Sequence, residues 1–71
     1  MIKINQSYLH RFKLSRGVYM FYISPGLLLS FDKETLEYLG PITFSNRYSP
    51  IFKEIDDTLN NLISKGILEV F

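Results

Sequence analysis

No cysteine occurs among the 71 residues, which excludes disulfide staples and thiolate metal sites. A single histidine, His10, leaves the usual zinc constellations without enough ligands. An unbroken apolar run of the roughly 20 residues needed to span a membrane is also missing. The one greasy stretch, GVYMFYISPGLLLSF over residues 17–31, is interrupted by Ser24-Pro25-Gly26. The opening Met1-Ile-Lys-Ile-Asn-Gln6 lacks a charged start followed by an apolar run and a small-residue cleavage site. No secretory signal is therefore expected, and a cytoplasmic protein is the default. Carboxylates are absent from residues 1–31, where Lys3, Arg11, Lys13 and Arg16 give +4, while residues 32–71 hold four cations and seven carboxylates, −3.

What is present argues for a folded chain. Hydrophobic residues make up 46% and aromatics 15%, too much for a disordered segment. The length fits one domain, residues 1–71, whose core alone supplies only a few kcal/mol.

Within the greasy stretch, Val18, Tyr19, Phe21, Tyr22 and Ile23 are β-branched or aromatic strand formers. Pro25 presets φ for the first central turn position and Gly26 accepts the positive φ of the second. The pattern predicts a β-hairpin with strands 18–23 and 27–31. Pro-Gly favours a type II turn, whose twist suits a two-residue hairpin less well than the primed types, so a wider connection is expected. Before it, His10-Arg-Phe-Lys-Leu-Ser-Arg16 reads as an alternating strand with Phe12 and Leu14 inward and Arg11 and Lys13 outward.

After the hairpin the period changes from two to 3.6. Asp32 is a good N-cap, residues 33–39 fit a short helix burying Leu36 and Leu39, and Gly40-Pro41 is a stop signal. Residues 42–48 read as a brief turn or loop. Ser49-Pro50 places an N-cap before a proline at the first helical position. Ile51, Ile55, Leu59, Leu62 and Ile63 then follow at helical spacing until Gly66, and residues 67–71 alternate as a last short strand. At 100° per residue Ile51, Leu62, Ile55, Leu59, Phe52 and Ile63 span a face about 120° wide. Either all six are core, or Phe52, Leu59 and Ile63 line a groove with Asp56 at its rim.

Strands, short helix, turn, long helix and a terminal strand together predict an α+β winged-helix-like domain. It would comprise an N-terminal antiparallel hairpin, about three helices and a short C-terminal strand. The sequence resembles the RiPP recognition elements, the PqqD-like domains that bind leader peptides of ribosomally made, post-translationally modified peptides. The residues carrying the resemblance are the hairpin of residues 17–31, the opening Asp32-Lys-Glu-Thr-Leu-Glu-Tyr-Leu39, and Leu62-Ile-Ser-Lys-Gly-Ile-Leu68. Leu29-Ser-Phe31 after a tyrosine-rich strand looks most like the stand-alone binding chaperones of mycofactocin-type clusters. The Leu-Asn-Pro-Thr-Ala-type opening of the first helix is missing.

The resemblance implies a non-catalytic peptide chaperone that takes a leader peptide as an added strand and presents it to a modifying enzyme. Carried onto this chain, the receiving edge is Leu27, Leu28, Leu29, Ser30 and Phe31, and the facing helix surface is Phe52, Asp56, Leu59 and Ile63. An apolar strand at an open edge is a hazard unless a partner covers it. No cofactor and no metal are expected. Catalysis has little support, since His10 has no evident orienting partner and Ser24 and Ser30 have no neighbouring base. Nucleic-acid binding is disfavoured because Glu54, Asp56 and Asp57 share the long helix with Lys53 and Lys65. The alternative is a small winged-helix regulatory protein, binding DNA or homodimerising through the same edge.

Overall fold

The computed structural model describes residues 1–44 and 51–71. In chain order these form β1 (Ile2–Ile4), a 3₁₀ segment (Gln6–Arg11), β2 (Lys13–Ser15), β3 (Val18–Ser24), β4 (Leu27–Asp32), β5 (Tyr38–Thr43), α1 (Ile51–Ser64) and β6 (Leu68–Val70). Strands β2 to β5 make one antiparallel sheet in sequence order, and β1 pairs with β6 in a second. The winged-helix-like expectation is overturned. The described residues are mostly β, with one α-helix rather than about three.

Local turn chemistry explains the meander. Arg16 and Gly17 both have positive φ, 52° and 82°, and connect Ser15 to its partner Val18 in two residues. That is the primed geometry whose twist matches flanking strands. In the next hairpin Gly26 has φ 87° and Ser24 pairs with Leu27, so the Pro25-Gly26 loop is also two residues long. The wider connection expected there is not found. Instead the register shifts between Tyr22 and Ser24, and this bulge absorbs the twist that the turn does not supply.

The helix expected over residues 33–39 is absent, although its cap forms. One Asp32 carboxylate oxygen accepts from the Glu34 N–H at 3.1 Å, the Thr35 N–H at 2.8 Å and the Thr35 hydroxyl at 3.0 Å. These bonds hold Asp32 below the ordinary carboxylate range, the Thr35 N–H contributing most. The turn then stops at Leu36, whose φ of 66° ends helical continuation. Chain continues as β5, with Tyr38 paired to Phe31 and its ring 5.4 Å from the Phe31 ring. Of the loop expected over 42–48, Ile42 and Thr43 belong to β5. Residues 45–48 and the Ser49-Pro50 cap lie outside the described residues.

Helix α1 and its ending agree with the sequence pattern. Gly66, φ 77°, donates to the Ile63 carbonyl and Ile67 to the Leu62 carbonyl, over 3.0 and 2.9 Å. This paired closure is the Schellman arrangement, and buried Ile67 and Leu62 supply its hydrophobic contact. The side chains of Ile55 and Leu62 enter the core, together with Ile4, Phe12, Leu68 and the β4 residues Leu27, Leu29 and Phe31. Phe12 meets Phe31 edge-on at 5.3 Å and Phe21 at 5.5 Å. Leu14 departs from the expected inward position. It is 54% exposed, because Phe12 leaves the 3₁₀ segment directly into the core while Leu14 lies on the short outermost strand.

Candidate functional site

The nine residues expected to bind a peptide fall in three different places. Leu27, Leu29 and Phe31 are core, while Leu28 and Ser30 alternate onto the opposite face of the sheet. Strand β4 has β3 on one side and β5 on the other, so the expected receiving edge of Leu27 to Phe31 is already paired. Its apolarity on both faces is that of a central strand. On the helix, Leu59 and Ile63 pack partly against the core, whereas Asp56 is exposed and Phe52 is 81% exposed. Burial, and then the Asp56 charge, raise the Tyr38 phenol above its ordinary value. The helix shoulder thus acts on β5 rather than on β4.

The two outer edges of the four-stranded sheet are β2 and β5, and they differ chemically. Phe44 donates to the Gly26 carbonyl over 2.8 Å, which sets the alternation along β5. Ile42 and Gly40 therefore face β4, and Thr43 and Pro41 face outward. Pro41 has no N–H, so this edge lacks a donor where an added strand needs one. A register shift between Ser30 and Phe31 breaks the edge further, and Gly40, φ 135°, lies beside it. The Ser30 hydroxyl is committed to the Gly40 carbonyl at 2.9 Å.

Strand β2 is short but unblocked. Its closing pair Ser15–Val18 and the pair Lys13–Met20 face inward across the ladder, so Leu14 turns its N–H and C=O to the outer side. No further strand lies there among the described residues. Arg11, Lys13 and Arg16 are exposed around this edge.

An open cleft of about 320 Å³, bordered by Arg11 two residues before β2, lies against α1. Arg11, Thr58, Asn61 and Lys65 line it with polar groups, and Phe21 and Leu62 with apolar ones. Asp57 also borders the cleft but pairs with Lys53 at 3.4 Å. Among the described residues neither Arg11 nor Lys65 has a carboxylate at ion-pair distance. Arg11 and Lys65 are 54 positions apart with no shared pattern in the sequence, and only the single sign of charge in residues 1–31 points there.

One row across the far face of the sheet is apolar. Tyr22, Leu28 and Ile42 sit directly opposite one another on β3, β4 and β5. Leu28 is fully buried between its neighbours, while Tyr22 remains 55% exposed and Phe44, at the end of the face, 69%.

His10 stacks on Tyr8 with ring centroids 6.4 Å apart, and Asp32 serves its turn. Among the described residues no helix is long and apolar enough to cross a membrane. Comparison with family models, with curated proteins and with solved structures gives no match.

Proposed function

We propose that the chain is a non-catalytic binding module that takes an extended peptide as an added strand on the outer edge of β2. The observation that carries this reading is Leu14, whose outward N–H and C=O sit on an edge without proline, in contrast to the Pro41 edge of β5. Main-chain bonds to an edge give affinity, and neighbouring pockets give selectivity. In its narrower form the peptide is the leader of a ribosomally made precursor, handed to a separately encoded modifying enzyme in the cytoplasm. That form leans on the resemblance in the hairpin and the closing helix alone, since the winged-helix arrangement is not the fold found.

Peptides selected from a random displayed library on the folded protein, then titrated into isotope-labelled protein, test the reading. The amides of Lys13, Leu14 and Ser15 are expected to shift. Selected peptides that move Met20, Tyr22 and Ile42 and leave β2 unmoved would refute it.

The row Tyr22–Leu28–Ile42 favours a second reading, a homodimer with two such faces packed together. The row is self-complementary, since a two-fold axis through Leu28 sets each flank against a flank of the other copy, at the usual sheet separation of about 10 Å. Sedimentation equilibrium decides it, because a protein that stays monomeric at high concentration does not pair this way.

A further inference from the structure

We infer that the segment taken up at β2 is acidic and inserts one apolar or aromatic side chain into the cleft between Arg11 and Lys65. The inference rests on the strand-addition reading and deepens it.

Charge provides the first argument. Arg11, Lys13 and Arg16 surround the Leu14 edge, and Lys65 lines the same cleft as Arg11. The one carboxylate lining that cleft, Asp57, is engaged with Lys53. Cations on a short edge strand deter a second copy's β2 by like-charge repulsion. The same charges attract a strand that carries carboxylates.

Geometry provides the second. An added strand lies about 4.8 Å outside β2, and its side chains alternate between the two faces. Those on the helix side stand next to Leu14, and a long or aromatic one reaches diagonally about 7–8 Å. The diagonal neighbour is Phe12, whose ring contacts Phe21 at 5.5 Å. Phe21 lines the cleft together with Arg11, so a side chain placed past Lys13 toward Arg11 meets an apolar surface. The half-exposed Leu14 side chain would be covered at the same time. A short peptide fits better than a nucleic acid because the exposed cations here are confined to Arg11, Lys13, Arg16 and Lys65. These are too few and too local for a continuous phosphodiester chain, which would run on to the exposed carboxylates of α1.

Four capped synthetic peptides of equal length test this: alternating Glu and Val with a central Phe; its Lys-for-Glu counterpart; the acidic peptide with Phe replaced by Ala; and the acidic peptide N-methylated at alternate amides. Titration calorimetry and amide shifts are read on each. The acidic peptide should bind with Leu14 shifted, and the basic and Phe-less peptides should bind at least about tenfold more weakly. N-methylation should abolish binding. Arg11→Glu combined with Lys65→Glu should weaken the acidic peptide, and the peptide-side changes give the same answer should that variant fold poorly. Equal binding of acidic and basic peptides at Leu14 overturns the acidic inference while strand addition stands. Loss of the Phe without effect overturns the anchor. Undiminished binding after N-methylation, or an unmoved Leu14 with every peptide, removes strand addition and the inference with it. A mixed-sequence oligonucleotide that displaces the acidic peptide from β2 at lower concentration overturns the proposal in favour of nucleic acid.

Discussion

The main-chain N–H of Ile4 donates to the Leu36 carbonyl over 2.9 Å, tying β1 to the turn between β4 and β5. Ile4 faces β6 with one set of neighbours and this turn with its N–H, so the N-terminal strand joins the two sheets. A helix through residues 33–39 would use the Leu36 carbonyl internally. The long-range bond takes it instead, and the packing of Leu36 and Tyr38 against the core goes with it.

Asp32 anchors the other end of that turn, and Asp32→Ala should lower the melting temperature near neutral pH. The folded carboxyl has a lowered pKa, so its contribution is present above the unfolded value near 3.8 and is lost as pH falls through the folded value. Thermal melts of both proteins from neutral to strongly acidic pH should converge at the acid end. A gap that persists there would mean that the charge of Asp32 is not what the turn uses.

Alkaline pH probes Tyr38 with the opposite sign. Its folded pKa is raised above the ordinary 10.0, so between that value and the folded pKa the folded protein keeps a proton that the unfolded chain releases. Stability should fall as pH rises past about 10, more in the wild type than in Tyr38→Phe. Chemical unfolding of both across this range checks the difference. Parallel curves would dismiss the effect.

The hairpin of residues 18–31 and the closing helix were legible because their signals are local, whereas the Arg16-Gly17 turn that pairs β2 with β3 was not read from the sequence. Apolar strand formers on either side of Pro25-Gly26 mark residues 18–23 and 27–31, and a 3.6 period with Gly66 marks α1. Strand β5 was not legible, since Asp32, Leu36 and Leu39 carry real helix signals that only the contacts with Ile4 and Phe31 override. The same limit explains the misplaced edge. Leu27 to Phe31 announce burial on both faces, which an edge held for a partner and a central strand share, and only the pairing of β5 separates them. The basic character of the first 31 residues was visible, but its convergence with Lys65 in one cleft depends on the packing of α1.

Arg16→Asn should stabilise the protein by about 1 kcal/mol, because Arg16 holds a positive φ that costs an ordinary side chain roughly that much and that asparagine tolerates. Urea unfolding measures it. Gly17→Ala, with no atom within 4 Å of the added methyl, should destabilise through backbone strain alone. A stabilising Gly17→Ala would contradict the primed turn.

Leu28 and Leu29 are neighbours with the same side chain, and both are fully buried, yet they face opposite sides of the sheet. Leu29→Ala opens a cavity among Phe31, Leu62 and the rest of the closed core, where little can move in, and should cost about 2–5 kcal/mol. Leu28 lies in a row with Tyr22 and Ile42, which are themselves partly exposed and free to settle over a smaller residue. Leu28→Ala should therefore cost clearly less, near or below about 2 kcal/mol, the lower end of that range. Urea unfolding of the two variants side by side reads the difference, and concentration separates its origin. If a second copy seals the outer face, the Leu28→Ala cost should grow as protein is concentrated, while the Leu29→Ala cost stays constant. Equal costs at all concentrations would show that the outer face is as closed as the core.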